Sequence, residues 1–262
     1  MAKLLPNERH QAIVATLQQQ GKVLAADMAS RLNTTEATIR RDLRQLAAMG
    51  ECKRVYGGAL AVTPASGSIA QRIALSGDEK MALARAALTL IGEDEVMFLD
   101  AGSTHLYLAD LLPRDRRLTV VTNAISIAAR LLERPGIRTI LLGGEIDAEV
   151  GGCVDAKALA DIDGFHFDRA FVGVCAWDAE AGFTALRYQE AQFKQHLLRR
   201  TGSVVVMCTQ DKLETYAPYA FLPVARVDHL LMTHQGRSAL AQQVTRHGGN
   251  LLYVDPHHGD QP

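Results

Sequence analysis

The stretch Thr35-Glu36-Ala37-Thr38-Ile39-Arg40-Arg41-Asp42-Leu43-Arg44 decides the fold of the first quarter of this chain. At about 100° per residue, Ile39, Leu43 and the following Leu46 fall on one side of a helix, and Ala37, Arg40, Arg41 and Arg44 on the other. One face is core and the other cationic. Thr35 places a hydroxyl at the N-cap, where it stops the Asn33-Thr34 turn and starts the helix. The pattern predicts the recognition helix of a helix-turn-helix.

The flanking sequence agrees. Arg9 to Gln19 carries Ile13, Val14 and Leu17 at helical spacing and is closed by Gly21, and Leu24 to Leu32 makes a second short helix with Ala25, Met28 and Leu32 inward. After Gly50, residues 51–60 read as a β-hairpin wing turning at Gly57-Gly58 and carrying Lys53 and Arg54. Residues 1–60 hold nine Lys/Arg against five Asp/Glu, a net of +4, which leaves 19 against 24, a net of −5, in the rest of a chain whose total is −1. A small domain with arginines clustered on one helix is the electrostatic footprint of nucleic-acid binding. A solvated helix face would explain an isolated Arg-Arg pair, but not the cap, the wing and the three-helix spacing together. Thr35, Thr38, Arg40, Arg41 and Arg44 are therefore the expected DNA-reading residues, with Lys53 and Arg54 on phosphates.

The pattern Arg9-His10, Gly21, Leu32, Thr35-x-x-Thr38-Ile39-Arg40-Arg41-Asp42-Leu43, Leu46, Gly50, Arg54, Gly57-Gly58-Ala59 resembles the winged helix-turn-helix of DeoR-family transcriptional regulators. Thr34 departs from it, standing where the family has an apolar residue beneath the turn. The resemblance implies a following effector domain that senses phosphorylated sugars or related metabolites, and a repressor.

At 262 residues and 48% hydrophobic, the chain has room for a small domain plus a larger one with a substantial core. The expected division is a DNA-binding domain over 1–60, a linker over 61–77 holding Pro64, Ser66, Gly67 and Ser68, and an effector-binding and oligomerisation domain over 78–255. No apolar run approaches a bilayer span, and the N-terminus lacks the apolar core of a signal peptide, so a cytoplasmic protein without membrane contact is expected. Cys52, Cys153, Cys175 and Cys208 have no zinc-ligand spacing and read as buried free thiols, and no metal or cofactor is expected.

From Glu79 a helix is expected, then a βα rhythm with apolar strands at Val96-Leu99, Leu118-Val121, Thr139-Leu142, Ala170-Val174, Val204-Cys208, His229-Met232 and Leu251-Val254. Such strands suit an α/β domain with a mostly parallel sheet covered on both faces. Polar and glycine residues follow strand after strand: Asp100-Ala101-Gly102-Ser103-Thr104, Thr122-Asn123, Gly143-Gly144, Gly173 and Lys212. Ligands of open α/β sheets bind at the carboxyl ends of strands, and a helix starting at Ser103 would offer free N–H groups to an anion. Each stretch alone is ordinary turn chemistry; five at consecutive strand ends argue for a pocket.

These residues, together with Arg72, Glu79-Lys80, Asp168-x-Ala170-Phe171-x-Gly173 and Glu190-x-x-x-Lys194, resemble the DeoR effector domain, which is similar in fold to ribose-5-phosphate isomerase and CoA transferases. The resemblance implies an effector site built from Asp100, Gly102, Ser103, Thr104, Thr122, Asn123, Gly143, Gly144, Glu190, Lys194 and Lys212. His105 departs from it by standing where a third hydroxyl is usual, Asp155 by standing where a Gly is common, and Thr209-Gln210-Asp211-Lys212 by replacing Asp-x-Ser-Lys. Glu190 and Lys194 also satisfy a plain i,i+4 surface pair. The expected partners are a double-stranded operator, a phosphorylated small-molecule effector and further copies of the chain. The alternative is a sugar-phosphate isomerase-like enzyme, against which stand the DNA-reading domain and the lack of an activated nucleophile, metal motif or dinucleotide fingerprint.

Overall fold

The computed structural model describes residues 4–62, 69–114, 116–178, 180–233 and 240–256. Its N-terminal part is α1 (Pro6–Gln20), β1 (Lys22–Leu24), α2 (Ala25–Arg31), α3 (Glu36–Ala48), β2 (Cys52–Val55) and β3 (Gly58–Val62). The recognition helix α3 starts where the sequence predicts, with the Thr38 N–H donated to Thr35 Oγ1 at 3.2 Å. Ile39, Leu43 and Leu46 pack with Ile13, Leu17, Val23 and Met28. β2 and β1 both run antiparallel to β3, forming the wing. Asp42, set between arginines in sequence, is buried. It accepts Arg9 Nε at 2.8 Å and Arg9 Nη2 at 3.1 Å, a bidentate pair that ties α1 to α3.

Residues 63–68 of the expected linker lie outside the described residues, but the remainder of it is structured: α4 (Ile69–Ala74) follows, and α5 (Gly77–Leu88) begins two residues before Glu79. α4 left no sequence period because it is under two turns long and buries no residue. The chain continues through β4 (Val96–Leu99), α6 (Ser103–Leu111), β5 (Leu118–Thr122), α7 (Ile125–Leu131), β6 (Ile137–Leu141), β7 (Ile146–Asp147), β8 (Gly152–Cys153) and α8 (Ala156–Ile162). Next come β9 (Phe167–Phe171), β10 (Ala176–Asp178), β11 (Gly182–Ala185), α9 (Tyr188–Arg199), β12 (Thr201–Met207), β13 (Thr215–Tyr216), β14 (Tyr219–Leu222), β15 (His229–Thr233), α10 (Gln242–Arg246) and β16 (Asn250–Val254).

The seven strands expected from apolar runs form one sheet in the order β16-β15-β12-β9-β4-β5-β6, with every neighbouring pair parallel. Phe98, Leu99, Val120, Ala170, Phe171 and Val205 in its centre are fully buried, as both faces carry helices. The chain enters at β4, runs out to β6, and returns to the other side of β4 as β9. The carboxyl ends of β4 and β9 therefore flank the topological switch point, where α/β folds open a crevice. The four cysteines are free and buried. Among the described residues no helix is long and apolar enough to cross a membrane.

Short antiparallel strands gave no sequence signal. β10, β11 and β14 form a small sheet, and β13 adds in parallel to the wing, with Thr215 opposite Ala61 and Tyr216 opposite Val62. The larger domain thus supplies the fourth strand of the DNA-binding domain's sheet. Lys22 Nζ reaches Glu214 at 2.6 Å across this seam, and Lys53 Nζ lies 4.6 Å from the centre of the Tyr216 ring.

Asp42→Ala leaves the Arg9 guanidinium buried without its carboxylate and is expected to destabilise the N-terminal domain by about 3–5 kcal/mol. Urea denaturation followed by circular dichroism measures it. A loss under about 1 kcal/mol, the range of an exposed pair, would show that α1 and α3 are held by apolar packing alone.

Candidate functional site

On the DNA-binding domain, α3 presents Arg40, Arg41 and Arg44 on one exposed face, while Thr35 is exposed and Thr38 half-buried at its start. Arg40 is held by Glu36 at 2.7 Å, one turn earlier. Arg41 and Arg44 have no ion-pair partner among the described residues. Arg54 is exposed on the wing. Lys53 is placed otherwise than its expected phosphate role requires: it is half-buried in the seam, over Tyr216 and 3.8 Å from Glu180.

A cleft opens at the switch point between β4 and β9. Ala101 to His105 form one wall, Gly173 to Cys175 the opposite one, and Glu190 and Lys194 of α9 the back. Thr209, Asp211 and Lys212 close one side, and Arg72, Leu75, Ser76 and Lys80 close the other. The first intrahelical bond of α6 runs from Leu106 N to Gly102 O, so the N–H groups of Ser103, Thr104 and His105 precede it at the positive end of the helix. Gly102 is required by packing: a Cβ there would lie 2.9 Å from His105 Nδ1.

Lys194 is 1% exposed and its ammonium is fully used. It donates to the Gly173 carbonyl at 2.6 Å and to Glu190 at 2.5 Å, and lies 3.3 Å from Asp100 Oδ2. Burial pulls its pKa down, but Asp100 and Glu190 outweigh that and hold it above the ordinary lysine value. Its charge is thereby already compensated within the protein. Lys80 differs: it donates to the carbonyls of Arg72 and Leu75 and has no carboxylate paired with it among the described residues. Burial, then the neighbouring Lys212, pulls its pKa down to about 8. His105 is driven to about 3 by burial, reinforced by Lys212 and Lys194, so its ring is neutral at working pH. The cations left for an anion are Lys80, Lys212 and Arg72, whose guanidinium meets only the carbonyls of Glu149 and Val150 among the described residues, beside the α6 N–H groups.

Of the expected effector residues, the structure brings Gly102, Ser103, Thr104, Glu190, Lys194 and Lys212 to the cleft. Asp100, Thr122, Asn123, Gly143 and Gly144 are not on its surface. Asp100 is buried behind the wall, accepting the Gly173 N–H at 2.9 Å and facing Lys194. Thr122 donates to Leu99 O, and Asn123 Oδ1 accepts the Ala101 N–H, so both brace the β4 turn from behind. Gly144 has φ of 139° and packs on Asp155, whose side chain caps α8. Lys80 was missed as a site residue, yet its signal was present: Lys80, Leu83, Ala84 and Ala87 form an i, i+3, i+4, i+7 buried stripe, and a lysine in such a stripe needs a reason. Among the described residues no three His, Cys, Asp or Glu side chains gather as metal ligands.

Residues 76–234 match the family described as the DeoR C terminal sensor domain, and residues 9–65 the DeoR-like helix-turn-helix domain. The chain is 30% identical over 220 residues to the HTH-type transcriptional regulator FruR of Bacillus subtilis, spanning 83% of this chain and 87% of that one. It is 27% identical over 241 residues to the glycerol-3-phosphate regulon repressor of Escherichia coli, spanning 92% and 96%. Among solved structures, a ribose 5-phosphate isomerase A from Methanocaldococcus jannaschii aligns over 52% of this chain and 54% of its own, at 15% identity and a TM-score of 0.39.

The depressed pKa of Lys80 makes anion binding pH-dependent. Below about pH 8 the ammonium is already charged; above it, binding requires proton uptake, so affinity falls by up to about tenfold per pH unit. A phosphate passes to its dianion near pH 6, which sets the acid limb at about that value. A phosphate monoester such as methyl phosphate is therefore expected to bind tightest between these limits, with proton uptake at pH 8.5 measurable by calorimetry in buffers of different ionisation enthalpy. Lys80→Met should remove the alkaline limb. An affinity independent of pH from 7 to 10 would place the anion away from Lys80.

Proposed function

Because this chain belongs to the DeoR family of DNA-binding transcriptional regulators, we propose that it represses a carbohydrate-utilisation operon and releases its operator when a phosphorylated metabolite fills the cleft between β4 and β9. One observation supports this reading above the others. Asp211 and Lys212 line the cleft, Leu213 and Glu214 follow directly, and the next two residues are β13, the strand added to the wing. A ligand that moves the Lys212 turn therefore pulls on the DNA-binding domain's own sheet. On the other side of the cleft, Arg72 and Leu75 of the α4 segment follow β3 in sequence. The Escherichia coli relative, a glycerol-3-phosphate regulon repressor, accords with a phosphate ester as the signal.

The anion would lie against the first turn of α6 between Lys80 and Lys212, with Arg41 and Arg44 reading bases, Arg40 beside them, and Arg54 on the backbone. One recognition helix reaches only a half-site, so the operator-bound form would be a symmetric homo-oligomer on repeated half-sites. An isomerase reading is disfavoured by the same geometry. Glu190, which shares the cleft lining with Asp211, is fixed by Lys194 at 2.5 Å and so is not free to move a proton.

Two measurements test the proposal. Arg41→Ala should cost about 1–3 kcal/mol of operator binding and relax base preference, read by titration against operator and scrambled duplexes. The double variant Lys22→Glu/Tyr216→Ala strips the seam without touching the cleft. It should keep its affinity for a sugar phosphate while the effect of that ligand on operator affinity, about 5–150-fold for a typical allosteric coupling, falls to near unity. Full coupling in the stripped protein would remove the seam from the mechanism, and unchanged operator binding by Arg41→Ala would remove α3 from the interface.

A further inference from the structure

The first turn of α3 carries an acid on a surface otherwise built from cations. Glu36 opens the helix, and its Oε2 accepts Arg40 Nη2 at 2.7 Å, with the two side chains 47% and 58% exposed. Its second oxygen, Oε1, has no hydrogen-bond partner among the described residues. The hydroxyls beside it are occupied with each other, since Thr35 Oγ1 lies 3.0 Å from Thr38 Oγ1 and also accepts the Thr38 N–H. Glu36 is therefore the side chain at the start of α3 with an acceptor still to give.

In an isolated helix a glutamate there needs no other reason, because it meets the positive end of the dipole and pairs one turn on. On a surface that meets DNA, the same charge is repelled by every phosphate and weakens binding to all sequences alike unless it finds a donor. The sugar-phosphate backbone offers none. In the major groove the donors are the exocyclic amino groups, N4 of cytosine and N6 of adenine, whereas guanine and thymine present acceptors. Adenine sets the N7 lone pair beside N6, which repels a carboxylate. Cytosine is the one base whose major-groove edge has a donor and no acceptor.

Resting on the reading of α3 as the helix that enters the major groove, we infer that Glu36 is a specificity-determining residue: its carboxylate accepts the N4 amino group of one cytosine in each half-site and rejects guanine and thymine there. The other carboxylate oxygen keeps Arg40 in place beside Arg41 and Arg44. An exposed pair of this kind is weak, so it yields readily to a base contact. The acid thus gives up some general affinity for DNA and supplies discrimination in its place.

The experiment selects duplexes from a randomised pool with the full chain, then titrates all four base pairs at each position of the selected half-site against wild type, Glu36→Gln, Glu36→Ala and Arg41→Ala. At one position the wild type should prefer cytosine by at least about fivefold, the lower end for a mismatched pair. Glu36→Ala should level that preference. Glu36→Gln, whose amide matches adenine N6 and N7, should move it from cytosine to adenine. An Arg40 released from its partner favours guanine, so the gain of adenine separates base reading by Glu36 from a shift of Arg40. Should Glu36→Ala fail to fold, Glu36→Gln decides alone. Unchanged preferences in the Glu36 variants, with or without a general gain in affinity, overturn the assignment if Arg41→Ala relaxes base preference. If Arg41→Ala leaves every preference unchanged as well, α3 is not the reading helix and both readings fall.

Discussion

The buried ammonium of Lys194 fixes the geometry on which the cleft depends. A lysine taken out of water loses several kcal/mol of hydration and persists as a cation only where carboxylates and carbonyls replace that shell. Here Asp100 comes from the end of β4, the Gly173 carbonyl from the end of β9 and Glu190 from the same helix as Lys194. One charge thus pins the two strand ends at the switch point to α9, and the ring of Phe221, 5.1 Å away, covers it. Asp100 also accepts the Gly173 N–H, which holds the two walls in register. Asn123 and Thr122 then brace the β4 turn from behind, which is why groups resembling ligand contacts are structural supports.

That arrangement decides which charges the cleft can use. With Lys194 neutralised internally, an anion in the cleft would meet Arg72, Lys80 and Lys212, and repulsion from Lys212 is part of what lowers the Lys80 pKa. Close cations with no carboxylate paired to them among the described residues favour a divalent anion over a singly charged one. Lys80 also caps the carbonyls of Arg72 and Leu75, and Arg72 in turn donates to the Glu149 carbonyl at 2.5 Å. An anion drawing on the Lys80 ammonium therefore competes with the bonds that hold α4 over the cleft.

Much of the fold was legible because its large elements have a period. The α3 stripe of Ile39, Leu43 and Leu46 and the seven apolar strands lie where the sequence pattern puts them, since burial on one face or on two writes itself into residue spacing. The seam was not legible. A two-residue strand such as Thr215–Tyr216 has no period, and its partner is remote in sequence. The site was half legible for a related reason. Polar residues at strand ends arise from ligand contact or from turn bracing alike, and only the partner distinguishes Thr104, whose hydroxyl is unpaired among the described residues, from Thr122, whose hydroxyl is bonded to Leu99. Glu190 and Lys194 read as an ordinary i,i+4 pair because Asp100, which makes the pair a buried triad, joins it only in three dimensions.

The placement of weak and strong contacts follows what a switch requires. A ligand shifts an equilibrium only by its differential affinity for the two states, commonly about 1–3 kcal/mol. The seam between the domains includes two paired strand residues, the exposed Lys22–Glu214 pair, worth about 0–1 kcal/mol by type, and Lys53 over Tyr216 and beside Glu180. The contacts inside each domain are of another order. The Arg9–Asp42 pair and the Lys194 triad are buried, and removing one partner from such a pair costs about 3–5 kcal/mol. The seam also holds Lys53 over Tyr216 and beside Glu180, away from the wing's exposed face, so a parted seam would add one cation to those that the wing offers to a phosphate backbone.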